Sequence, residues 1–414
     1  MKITKIEPLL AIHPSCIPGH AEKGTQPTMP ASVYQYLYVR VHTDEGIVGL
    51  GEAGMSPKAQ TVLAYLDGLN HHLVGRNPLD IEALWQYMYR QPYERGGPII
   101  MSAIAGIDLA LWDIAGKALG VPVYRLLGGP VRDKIRLFAS LNFSDWLTNT
   151  KGSAEDREEG LQRGREFVNQ GFTAIRTGLP SYLVDVPIAR LVHDIAELFG
   201  DMREAFGPDV DLALDVHRRL RVFEAIQLAK ALEPFNLLFI EDPIMAENHD
   251  AMAEVARSTH IPIATGENLY TPYQFRELFA KRAAHFARID LCLAGGITAG
   301  KKIAHMAEAA FLNIIPHQPW SPVATAAYAH FCATVHNLTV LEYLDTEVTS
   351  VFVDRLVPID NGYMLLPEGP GLGIELNEDV VSASMKAIRS DPHFAAELFV
   401  NPTLQRRDGT LTDW

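Results

Sequence analysis

The chain has 414 residues, 48% of them hydrophobic, which excludes general disorder and suffices for one large barrel with additions or for two domain cores. A formal net charge of −14 without any basic run excludes nucleic acid as the main partner, yet leaves room for a small anion brought in by a metal. Three dispersed cysteines, Cys16, Cys292 and Cys332, exclude a disulfide framework and a thiolate zinc site; with no signal-peptide pattern and no run of about 18 apolar residues, a cytoplasmic protein without a membrane partner is expected.

In chain order, residues 1–130 read as an α+β unit. The Gly- and Pro-containing loop 13–30 is expected to act as a lid over the site, with His20 facing substrate, or else as a solvated loop or subunit contact. "YQYLYVRVHTDEGIVGLGEA" alternates as two strands around Thr43-Asp44-Glu45-Gly46. "IIMSAIAGIDLALWDIAGKALG", residues 99–120, predicts a packed core helix stopped by Gly120. Across 131–345 the texture changes to short apolar runs between amphipathic stretches. Strands are predicted near 136, 172, 211, 237, 261, 286, 312 and 338, the last six 24 to 26 residues apart, which is the period of an α/β parallel barrel. An open doubly wound sheet lacks the glycine-rich first turn it would need. Residues 346–414 lose the period and are expected to return to the first unit as loop and strand.

Asp215, Glu241 and Glu267 each close a predicted strand, in "ALDVH", "FIEDP" and "ATGEN", at intervals of 26 and 26. Three successive barrel strands aim them at one point. Converging carboxylates repel one another and call for a cation, and an all-oxygen set suits Mg²⁺; the other reading of such acids is helix capping or solvation. His217 lies two residues after Asp215, on the same face if the strand continues. Asp290 and His317 end the next two strands, so the acid can set the tautomer and basicity of the imidazole. Glu342 ends the last strand, either near a bound oxyanion or as a structural acid.

These segments, with "AGGITAGKKIA", "PHQPWSPVATAA" and "VLEYLD", resemble the mandelate racemase branch of the enolase superfamily, and within it the galactonate and mannonate dehydratase groups. The resemblance implies a modified (β/α)8-type barrel, (β/α)7β, under an α+β capping domain, with one Mg²⁺ on Asp215, Glu241 and Glu267. It also implies removal of the proton α to a carboxylate. Racemases of the branch carry Lys-x-Lys on the second barrel strand, where this chain has Arg176-Thr177-Gly178, and arginine stays protonated. One base, His317, and one acid, His217, then predict β-elimination from an aldonate to a 2-keto-3-deoxy acid. The Asp290 and His317 pair matches the galactonate pattern and favours a galactonate or gluconate type. The alternatives are a mannonate dehydratase, in which Arg176 works with a tyrosine such as Tyr182, and a metal-binding relative with a regulatory role. Glu342, Arg176, Tyr182 and both histidines are expected to face the acid sugar, in a homo-oligomer. Ser56 and Ser140 stand where mannonate enzymes present Asn and His.

Overall fold

The computed structural model describes residues 1–12, 35–54, 58–141, 154–180, 186–343, 347–390 and 408–410. Tyr182, Ser56, His20 and the whole of loop 13–30 lie outside the described residues.

The N-terminal unit is a three-stranded antiparallel sheet, β1 (Ile3–Ile12), β2 (Gln35–Thr43) and β3 (Val48–Ala53), covered by α1 (Ala59–Leu73) and α3 (Pro98–Leu119), with α2 (Ile81–Arg90) packed on α3. Thr43 and Ile47 close the predicted turn, with Gly46 in the left-handed region at φ 81°. The predicted core helix is present as α3, and Gly120 ends it at φ 68°. Its length and apolar composition would allow it to cross a membrane, but 83% of its apolar window is buried inside this fold. A Cβ on Gly51 would lie 2.9 Å from the Ala110 backbone nitrogen, so only glycine lets α3 approach β3 this closely.

After the short α4 (Val123–Leu126), all eight predicted strands follow: β4 (Lys134–Leu141), β5 (Ala174–Gly178), β6 (Asp211–Asp215), β7 (Phe239–Glu241), β8 (Ile263–Thr265), β9 (Phe286–Ala287), β10 (Asn313–Ile314) and β11 (Leu341–Tyr343). Between them lie α5 (Ala154–Asn169), α6 (Ile188–Phe206), α7 (Val222–Leu232), α8 (His249–Arg257), α9 (Pro272–Ala280), α10 (Gly296–Ala309) and α11 (Pro322–Ala333). Consecutive strands pair in parallel, β11 pairs with β4, and an Ile314–Leu338 bridge closes the ring. The fold is therefore α/β, a barrel with an antiparallel capping unit. Phe138, Ala174, Ala213, Phe239, Ala264, Ile315 and Val340 fill its interior as one cluster, large and small side chains from different strands interlocking.

The segment after 345 divides. β12 (Ile359–Asp360) and β13 (Tyr363–Leu365) form a hairpin that extends the barrel sheet antiparallel to β4. α12 (Glu378–Ser390) packs on β1 instead, where the Ile12 N–H donates to Ser384 Oγ at 2.7 Å.

Candidate active site

Side chains two apart on a strand share a face, so the residues two steps beyond the apolar interior layer form the next layer toward the strand ends. From Phe138, Ala174, Ala213, Phe239, Ile315 and Val340 this step reaches Ser140, Arg176, Asp215, Glu241, His317 and Glu342, and from Phe286 it reaches Arg288 and then Asp290. On β8 it reaches Gly266, at φ 136°, and the acid follows as Glu267. The apolar plug and the polar chamber are thus successive layers of the same strands.

Asp215 and Glu241 stand in register on β6 and β7. They are nearly sealed, Asp215 at 1% and Glu241 at 0% exposure. Burial, together with Glu267 beside Asp215 and Asp215 beside Glu241, raises both pKa values from those of a free carboxylate. Three arginines offset the charge. Arg176 lies 3.1 Å from Asp215, 2.8 Å from Glu241 and 2.8 Å from Glu342, and its Nη2 donates to Ser140 Oγ at 3.3 Å. Arg288 bridges Glu241 at 2.5 Å and Glu342 at 2.6 Å, and Arg218 pairs with Glu267 and Asp242. Against the cost of burial, the carboxylates Glu342, Glu241 and Asp215 raise the Arg176 pKa further, so Arg176 is a cation and not a base.

His217 reaches Asp215 by a different route from the one strand alternation suggests. β6 ends at Asp215, and His217 and Arg218 turn through the left-handed region at φ 52° and 66°. The His217 N–H donates to Asp215 Oδ1 at 3.0 Å, and its Nε2 lies 3.1 Å from Asp215 Oδ2. Asp242, directly after Glu241, is also left-handed at φ 39°. Non-glycine residues in this region cost about 1–3 kcal/mol each and concentrate at functional sites.

His317 Nδ1 lies 2.8 Å from Asp290 Oδ2, and its Nε2 lies 3.4 Å from Glu267. Trp320 Nε1, at 2.9 Å, and the Tyr328 hydroxyl, at 3.1 Å, donate to the Asp290 carboxylate and hold it in place. The two imidazoles are electrostatically opposite. Burial works against a charged His317, but Glu267, Asp290 and Glu342 outweigh it and carry the pKa up to about 9. Burial carries His217 down to about 3, with Arg176, Arg218 and Arg219 adding to it against Glu267.

The donor set fits a divalent cation. It is all oxygen and buried, its acids repel one another, and Asp215 Oδ2 accepts no hydrogen bond. In this structure guanidinium groups supply the positive charge. Among the described residues, three possible ligand atoms lie within 4.8 Å of one another only at His193, Asp194 and Glu197, on α6 away from the strand ends. Of the expected site residues, the strand ends bring together Asp215, Glu241, Glu267, His217, Asp290, His317, Glu342 and Arg176. Sequence reasoning missed Arg288, Arg218, Asp242 and Trp320. The available signal was an arginine inside an apolar strand run, "FARID", which a barrel interior tolerates only when paired.

Residues 161–380 match the enolase C-terminal domain-like family, and residues 24–128 match the N-terminal domain of mandelate racemase / muconate lactonizing enzyme. A D-galactonate dehydratase of Pectobacterium atrosepticum is 35% identical over 388 residues, covering 92% of this chain and 97% of that protein. The crystal structure of a mandelate racemase/muconate lactonizing enzyme-like protein from Rubrobacter xylanophilus is 36% identical with a TM-score of 0.81, covering 92% of this chain and 97% of that one. That of the 3,6-anhydro-D-galactonate cycloisomerase from Zobellia galactanivorans is 29% identical with a TM-score of 0.78, covering 93% and 99%. The two family matches fall on the barrel and on the antiparallel cap, the relatives align over more than nine-tenths of the chain, and the chain belongs to the mandelate racemase and muconate lactonizing branch of the enolase superfamily.

Proposed function

We propose that the protein is a Mg²⁺-dependent hydro-lyase that converts an aldonate of galactonate type into its 2-keto-3-deoxy acid. The observation that carries this reading is the pairing of His317 with Asp290 across the chamber from His217, with Arg176, and no lysine, on β5. Two-base racemisation then lacks its second base. The identity to D-galactonate dehydratases supports the sugar configuration.

Asp215, Glu241 and Glu267 would hold the cation, whose charge favours build-up of electron density on the substrate carboxylate as the C2 proton leaves. His317 Nδ1 is committed to Asp290, so Nε2 accepts that proton. The C2–H electron pair moves toward the carboxylate and then forms the C2–C3 double bond as the C3–O bond breaks. The leaving hydroxyl takes a proton and departs as water, and the enol tautomerises to the 2-keto acid. His317 must be neutral to begin, and a cation held by Glu267 would weaken one of the three carboxylate interactions that keep the proton on the ring. His217 faces the chamber from the Asp215 side and would protonate the 3-hydroxyl.

A second reading has its own observation. His217 is held neutral, so His317 itself can hand the C2 proton to the hydroxyl. Incubation with Mg²⁺ and, separately, D-galactonate, D-gluconate and D-mannonate tests the proposal. A 2-keto-3-deoxy product from galactonate or gluconate, lost on chelation, is expected; C2 inversion without elimination, or turnover of mannonate alone, would overturn it.

A further inference from the structure

Glu52 stands in β3 of the cap with no solvent exposure, and a buried acid must find donors. Its donors are all in the barrel. Oε1 accepts from the Ser321 N–H at 3.1 Å, and Oε2 accepts from Ser321 Oγ at 2.5 Å and from the Ala324 N–H at 3.0 Å. These belong to the first turn of α11, whose N-cap is Ser321 and whose first residue is Pro322. Ser321 Oγ in turn accepts from the Val323 N–H at 3.2 Å. The free donors of this helix start are therefore satisfied by the cap's carboxylate and the serine it holds, and an anion at a helix N-terminus is favoured. Burial pushes the Glu52 pKa up to about 7 against these donors.

The residues just before this anchor are those that present His317. Gln318 N–H donates to Glu342 Oε2 at 3.0 Å, and Trp320 Nε1 donates to Asp290 at 2.9 Å. Besides the His317 N–H bond to the Ile289 carbonyl at 3.0 Å and the Gln318 Nε2 bond to Thr325 Oγ1 at 2.7 Å, the run 318–321 is tied at three points to carboxylates. Two of these acids come from the barrel, and the third, at the C-terminal end of the run, comes from another structural unit.

We propose that Glu52 is a positioning residue for His317: by fixing the start of α11 it holds the run that carries the imidazole at its distance from Asp290 and the chamber. The cap then contributes to proton transfer without touching substrate. This rests on the dehydratase reading for its kinetic arm only. Glu52→Gln replaces an acceptor oxygen with an NH₂ facing backbone donors, and Ser321→Ala, which leaves the carboxylate in place, removes one of its three contacts together with the cap on the Val323 N–H. Both are made in the full chain with Mg²⁺ present and compared with wild type.

The expected result for Glu52→Gln is faster amide exchange in 317–325 with 213–219 unchanged. With it should come a fall in kcat of the order of 10–100-fold, as for lost supporting partners elsewhere, with KM and Mg²⁺ affinity within about twofold. Ser321→Ala should move the same quantities less, and it carries the test if Glu52→Gln does not fold. A folded Glu52→Gln with wild-type kcat, or exchange rising equally in 213–219, overturns the proposal. If wild type dehydrates no acid sugar, the functional reading fails while the exchange arm still decides the anchoring.

Discussion

Arg288 has no exposed surface, yet it joins two acids that the strand ends would otherwise leave in repulsion, Glu241 and Glu342. The chamber balances anions against fixed cations, and the acids are not equivalent within it. Glu241 answers two guanidinium groups, Arg176 and Arg288, whereas Asp215 answers only one, Arg176 at 3.1 Å. The fold disfavours the Asp215 charge on balance, so Asp215→Asn should leave the thermal midpoint unchanged or raised. It removes a ligand charge, so Mg²⁺ affinity measured by calorimetry should fall by at least the ~10–100-fold typical of losing an outer partner; undiminished affinity would contradict the assignment. The convergence of the acids was legible in the sequence because three of them close successive strands at equal intervals. Their arginine partners were not, because pairing across a barrel leaves no trace of spacing. The His217 contact was legible but its cause was not, since a left-handed turn and a continued strand can both bring residues two apart together.

At the scale of elements, β9 and β10 are only two residues long, Phe286–Ala287 and Asn313–Ile314. They were found because the helix between strands sets the period, not because the strands are strong. The hairpin of β12 and β13 and the helix α12 were not found. α12 buries only Val381, Ser384 and Ala387, too small and too polar a stripe to stand out against a glycine-rich surrounding. The start of α10 shows the opposite, a short motif with a definite structural cause. Gly296 is left-handed at φ 80°, and a Cβ there would sit 2.6 Å from Asp108 Cβ of α3. Gly296→Ala should cost about 2–5 kcal/mol, from the left-handed backbone and overpacking together. Urea unfolding with an unchanged slope and a lower midpoint is the expected observation, and an unmoved midpoint would refute it.

The molecule as a whole depends on how the cap seats on the barrel. Asp108 Oδ2 accepts from the Thr298 N–H at 3.0 Å, Trp85 Nε1 donates to the Gly295 carbonyl at 2.7 Å, and Trp112 Nε1 donates to Thr298 Oγ1 at 3.0 Å. Burial pushes the Asp108 pKa from 3.8 up to about 7, so the folded state holds a proton that the unfolded chain releases. Its contribution to stability is complete below about pH 4 and is lost as the pH rises toward 7. The thermal midpoint of wild type relative to Asp108→Asn should therefore decline from pH 5 to pH 8; a constant difference would show that Asp108 is ionised throughout.

In the proposed reaction His317 removes the C2 proton of an aldonate. With Mg²⁺ and D-galactonate in deuterated solvent, proton NMR follows both 2-keto-3-deoxy product and exchange at C2. His317→Asn should abolish both, a loss of about 10²–10⁴-fold for one general base. His217→Asn should stop dehydration while leaving exchange, unless His317 serves both steps. Exchange that survives in His317→Asn would contradict the claim and turn attention to Arg176 working with Tyr182.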